Sequence, residues 1–165
     1  MLKASFKKGL GFGLSAAVIT TLAVIVGIHA GTDLRHAVIA AIIVIAFADS
    51  MADAFGVYIS ERSAGTAKLH ENIIAAIVAF FTKMIFALSF LIPIFLFSLH
   101  PAIVICIIYG LIVLIIYSVY LAKSRHDSII RVIALHVLLA VVVISLSHLI
   151  GTWVNHHLGA PVGSG

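Results

Sequence analysis

The sequence predicts an all-α integral membrane protein of five transmembrane helices, with the amino terminus in the cytoplasm and the carboxyl terminus outside. Three observations carry that prediction. Of the 165 residues, 63% are hydrophobic and 10% are charged, against roughly 25% charged in a soluble domain. The mean hydropathy is +1.27, more apolar surface than a chain of this length can hide from water. The apolar residues also come in five blocks of the length a bilayer demands, roughly 20 residues for a hydrocarbon core about 30 Å thick.

The first span is expected from Gly9 to His29. Lys3, Lys7 and Lys8 precede it, and with no small-x-small cleavage site set apart from the run it reads as a retained span. Gly31, Thr32 and Asp33 make the turn, with Thr32 or Asp33 as the N-cap of the next helix. The second span is expected from Arg35 to Ser60, followed by a polar stretch from Glu61 to Glu71. The third runs from Asn72 to Ser98 and ends in a tight turn at His100-Pro101, where proline opens the next helix. The fourth runs from Ala102 to Ala122 and the fifth from Ser128 to Trp153. Residues 1–154 thus form one five-helix domain, and residues 155–165 a polar, glycine-rich, disordered tail.

Loop charges set the orientation. Lys3, Lys7, Lys8, Arg62, Lys68, Lys123, Arg125 and Arg131 fall on one side, and Arg35 alone on the other. The basic residues lie in short loops and form no basic face with interleaved aromatics, so the high isoelectric point does not point to nucleic acid. The single cysteine, Cys106, forms neither an intrachain disulfide nor a cysteine-based metal site by itself. No His-Glu-x-x-His or Gly-x-Ser-x-Gly motif is present, and the chain is not read as an enzyme.

Four ionisable residues fall inside the spans: Asp49, Asp53, Lys83 and His136. A charge at mid-bilayer costs about 3 kcal/mol or more, so such a residue faces the bundle or a wet cavity. Counted from the inner ends, Asp49 and Lys83 both lie about 16 Å deep, and Thr20 and Thr21 of the first span about 18 Å. Asp49 and Asp53 are spaced i, i+4 and share a helix face that Gly56 and Ser60 continue. Two carboxylates one turn apart are hard oxygen ligands for a divalent cation, to which Thr20 and Thr21 add hydroxyls. Without a cation, one carboxyl must hold a proton, as a proton-coupled carrier requires. The alternative is structural: Lys83 pairs with Asp49 and fastens the bundle, and His136 is a packing histidine. Gly9-x-x-x-Gly13 allows close helix approach, and the small residues from Ala48 to Gly56 suggest that spans one and two touch.

Ile19-Thr20-Thr21-Leu22-Ala23-Val24-Ile25-Val26-Gly27 resembles the first-span motif of the vacuolar iron transporter family. Gly56-Val57-Tyr58-Ile59-Ser60 is similar to the end of that family's second-span motif, and Pro93 matches its third-span proline. The chain departs from the family pattern at Ala16-Ala17, which replace an Asp-Gly pair, at Val57, which replaces a glutamate, and at Asp53, which stands where a methionine is usual. The family's long metal-binding insert is reduced to the stretch from Glu61 to Glu71. Ala48-Asp49-Ser50-Met51-Ala52-Asp53-Ala54-Phe55-Gly56 resembles the second span of short prokaryotic relatives.

The resemblance implies a homodimer through the first helix in a prokaryotic cytoplasmic membrane, exporting Fe²⁺ or Mn²⁺ by exchange with protons and needing no further cofactor. It implies Asp49, Asp53, Thr20, Thr21 and Glu61 as metal-contacting residues, with Glu61 and Glu71 at the cytoplasmic entrance. Lys83 and His136 are the charge or proton partners. The competing expectation is a non-transporting structural or regulatory protein that keeps the transporter's bundle.

Overall fold

The computed structural model describes residues 2–65 and 68–158. Every element among them is helical: α1 (Leu2–Thr32), α2 (Arg35–Val44), a π-helical turn (Ile45–Asp49), α3 (Ser50–Ala64), α4 (Leu69–Ser89), α5 (Leu91–Leu96), α6 (Leu99–Arg125) and α7 (Ile129–Leu158). The segments from Arg35 to Ala64 and from Leu69 to Leu96 each form one rod, so five helices of 27 to 30 residues are long and apolar enough to cross a membrane.

The helices overrun the expected spans at most of their ends, because a helix stops at a cap and not where its side chains become polar. Three stops use a left-handed residue: Asp33 at φ 51, Gly65 at φ 66 and His126 at φ 59. Aspartate and histidine tolerate that region better than most side chains. Asp33 N–H donates to His29 O at 2.9 Å and Asp127 N–H to Ala122 O at 3.0 Å, each satisfying a last-turn carbonyl.

Three local expectations are corrected. Neither Thr32 nor Asp33 is the N-cap of the second rod. Leu34 holds that position without a side-chain bond, and the Thr32 hydroxyl instead donates to Ile28 O at 2.8 Å. The turn before α6 falls at Phe97 and Ser98, both extended, and Pro101 lies inside the first helical turn, where its missing N–H costs nothing. The tail does not begin at Asn155: α7 continues through Leu158, so Asn155, His156 and His157 are helical. The rest of the expected tail, 159–165, lies outside the described residues. The third span is also broken at Phe90, because Pro93 has no N–H to offer the carbonyl of Ser89.

α1 is the centre of the bundle. Its glycines let other helices close on it at both ends. A Cβ at Gly9 would collide with Ala75 O of α4, and one at Gly13 would stand 2.6 Å from Ala79 O. Toward the other end, a Cβ on Gly151 of α7 would collide with Gly27 O. The first helix therefore seats its glycine pair mainly on the third rod, whereas its contact with α3 of the second is slight. Between these seams, Val18 and Leu22 pack on Gly110 of α6, and the core is completed by Ile25, Ile42, Phe90 and Ile94. α7 is peripheral: 6% of its most apolar window is buried, against 44% for α1.

Charges are sorted to the two ends. One end, here the basic end, carries Lys7, Lys8, Arg62, Lys123 and Arg125, with Lys8 paired to Glu61 at 2.8 Å. The opposite end carries His29, Asp33, Arg35 and His100; the Arg35 guanidinium donates to Ile94 O, and to Phe95 O at 3.0 Å.

Candidate functional site

The second rod carries the two acidic residues, and its π-helical turn ends on the first of them. Ser50 N–H reaches back to Ile45 O, the i to i+5 bond of a widened turn. Such turns gather at functional sites. No proline or glycine occurs from Ile45 to Asp49, so nothing in the sequence marks it. Beyond the turn the helix is regular, which leaves Asp49 and Asp53 on one face as their spacing predicts.

Lys83 meets that face from α4. Its side chain is fully buried. Its Nζ lies 2.5 Å from Asp49 Oδ2 and is also paired with Asp53 Oδ2. The α1–α4 register, Gly9 over Ala75 and Gly13 over Ala79, sets Ala17 level with Lys83 when carried one turn further. Ala16 and Ala17 continue the small-residue run of α1 at that level. A single ammonium therefore serves two carboxylates, and the triad has a formal charge of −1.

The triad is asymmetric in exposure. Lys83 keeps 1% of its side-chain surface, whereas Asp49 keeps 39% and Asp53 27%. Both ion pairs use Oδ2, and neither Oδ1 has a hydrogen-bond partner among the described residues. The lysine closes the buried side and leaves the other side of both carboxylates open.

A cleft of about 680 Å³ enters from the basic end between α1, α3, α6 and α7. Gly11 and Ser15 form its floor, Gly56 and Ser60 one wall, and Tyr117 and His136 the other. The Asp49–Asp53 face continues through Gly56 and Ser60, so the cleft stops one helical turn short of Asp53. Glu61 and Lys8 stand at its rim.

The remaining expected residues divide. Glu61 is at the cleft mouth but is already paired with Lys8. Glu71 is buried and its carboxylate accepts Lys68 N–H at 3.1 Å, closing a capping box at the start of α4. His136 lies on the cleft wall, away from any carboxylate partner, with Nδ1 2.9 Å from Ser118 Oγ. Ser118 spends its one hydrogen on Leu114 O, so His136 Nδ1 is the donor in the bond between them. Thr20 is committed to Ala16 O at 2.8 Å. Thr21 is fully buried with Oγ1 unpartnered, as is Ser50 beside Asp49. Neither threonine hydrogen-bonds to Asp49 or Asp53.

Sequence reasoning gave Lys83 one acid, Asp49 or else Asp53, and not both. The spacing contained the fuller answer: a lysine that meets one member of an i, i+4 pair is within reach of the other. The π turn, Ser118 and the Lys8–Glu61 pair left no such signal.

No family model, no curated protein and no solved structure matches this chain. The site therefore rests on the chain's own residues.

Proposed function

We propose that the protein is a membrane carrier exchanging a divalent cation for protons, with Asp49 and Asp53 as ligands and Lys83 as the charge the cation displaces. The basic end is taken as cytoplasmic on the loop-charge rule, and the apolar outer faces as lipid-facing. The cleft from that end is then the cytoplasmic approach to the triad. The observation that carries the reading is the exposure asymmetry. Lys83 is sealed, while both carboxylates are open and have an unpaired oxygen.

Charge balance gives the exchange its form. One proton on the carboxyl pair makes the resting triad neutral. A divalent cation between two ionised carboxylates is neutral as well, provided Lys83 has become an amine. Two protons leave for each cation that enters, one from the carboxyl pair and one from Lys83. No net charge moves at mid-bilayer, where uncompensated charge is expensive. Fe²⁺ or Mn²⁺ as cargo, outward transport, a homodimer and a prokaryotic cytoplasmic membrane belong to the same reading, through the resemblance to vacuolar iron transporters.

The test is Mn²⁺ uptake into proteoliposomes that carry a trapped pH indicator. The parent protein is expected to move Mn²⁺ against protons with little response to an imposed membrane potential. Asp49→Asn combined with Asp53→Asn is expected to abolish uptake. Undiminished flux in the double variant rejects the assignment.

The second reading, a non-transporting scaffold, is favoured by the pairing of Lys83 with both acids. On that reading the triad only fastens α4 to the second rod. Saturable Mn²⁺ binding to the parent, lost in Asp53→Asn, would argue against it.

A further inference from the structure

The end of the bundle away from Lys7 and Lys8 holds a second cluster that the carrier reading does not use. His29 lies in the last turn of α1, Asp33 follows one turn on, and His100 lies in the first turn of α6. One ligand atom from each falls within 4.8 Å of the other two. His29 Nδ1 is 3.1 Å from Asp33 Oδ1, and His100 Nε2 is 4.0 Å from the same oxygen. The two rings stand edge to face, with centroids 4.9 Å apart.

We infer that His29, Asp33 and His100 form a binding site for a divalent transition-metal ion of the zinc class, with water completing the coordination. Two imidazoles and one carboxylate, with a fourth position open, make a donor set that zinc accepts. Calcium and magnesium take oxygen ligands and have little use for it. Ligands held about 2.0 Å from a tetrahedral ion stand about 3.3 Å from one another. The His29–Asp33 separation already meets that, and His100, three-quarters exposed, needs only a small swing to complete it.

Two further observations point to an ion. His29 Nδ1 is buried and makes no hydrogen bond, although a carboxylate oxygen lies 3.1 Å away. The contact is too oblique for an N–H donor, so proximity without a hydrogen bond is what remains. Second, Asp33 has no lysine or arginine partner among the described residues. Arg35 is two positions away, but its guanidinium is spent on the carbonyls of Ile94 and Phe95. The one strong cation near Asp33 is turned from it, and two neutralisable imidazoles take its place. The geometry is fixed by the backbone: Asp33 sits at φ 51 with its N–H bonded to His29 O, which turns the chain back over the end of α1.

The test is calorimetric titration of the purified full chain with Zn²⁺ alone. Every protein carries His156→Ala and His157→Ala, so that the α7 histidine pair cannot contribute. Asp49→Asn and Asp53→Asn are also present throughout, and one saturable equivalent is expected. The mid-bundle acids are thereby separated from the result. His100→Ala and Asp33→Asn, both at exposed positions, are each expected to weaken binding about tenfold or more, with the thermal midpoint of the Zn²⁺-free protein unchanged. Absence of saturable binding, or an affinity in His100→Ala and Asp33→Asn equal to that of the protein retaining both residues, overturns the inference.

Discussion

The middle of the bundle and its histidine end both hold carboxylates, and they answer the same electrostatic problem differently. In the middle, Asp49 and Asp53 are met by a lysine with 1% of its side chain exposed. At the end, Asp33 is 61% exposed and is met only by histidines. Depth explains the difference. Two carboxylates one turn apart repel each other, and a built-in cation or a shared proton offsets that repulsion. A carboxylate at an end can be solvated and needs neither. The consequence is chemical: the middle site holds its own charge, whereas the end site has donors and no lysine or arginine partner among the described residues.

The sharpest way to break this comparison is to remove the resident cation. Lys83→Met leaves the stem's volume and deletes the charge. Leaving the acids without their cation is expected to cost at most about 3–5 kcal/mol, the figure for a fully buried pair, and less for carboxylates this exposed, read as a lowered thermal midpoint in detergent. Adding Asp49→Asn and Asp53→Asn to Lys83→Met should recover most of the loss, since the triple variant has no charge left to strand. A Lys83→Met protein as stable as the parent would mean that the pairing contributes little, and that depth does not impose the cation.

A smaller effect separates charge from packing along the same seam. Gly13 lies on the α1–α4 contact that also carries Lys83, and a Cβ there would stand 2.6 Å from Ala79 O and 3.0 Å from Thr82 Cβ. Gly13→Ala should therefore push the helices apart and cost about 1–3 kcal/mol. Unlike Lys83→Met, it should not be rescued by neutralising Asp49 and Asp53. Rescue by those substitutions would show that the seam acts only through the triad.

The two regions were also unequally legible. The middle was visible in the sequence because an acid pair at i, i+4 and a lysine inside apolar runs violate the local composition. Depth counting alone brought Asp49, Asp53 and Lys83 to one level. It did not find the π turn that ends on Asp49, since no residue type encodes it. It also placed Thr20 near the site without foreseeing that the hydroxyl would bond its own helix at Ala16 O. The five helices were legible from length and hydropathy. Their ends were not, because helix C-termini here depend on left-handed residues such as His126. The glycine pair was read correctly as a contact surface. Its partner, Ala75 and Ala79, is set by three-dimensional packing that one sequence does not reveal. The histidine end was not legible at all: His29 and His100 are distant in sequence, and only the return of the third rod and the start of α6 bring them together.

The mildest change in stability makes the most direct exchange between the two regions. His100→Lys puts beside Asp33 the kind of cation that Lys83 presents to Asp49 and Asp53. His100 is 75% exposed, so a surface ion pair there is worth about 0–1 kcal/mol and the thermal midpoint should barely move. Zn²⁺ affinity should nevertheless fall further than in His100→Ala, because the lysine both removes a ligand and occupies the carboxylate. Should His100→Lys bind Zn²⁺ as well as His100→Ala does, a resident cation would not exclude a metal.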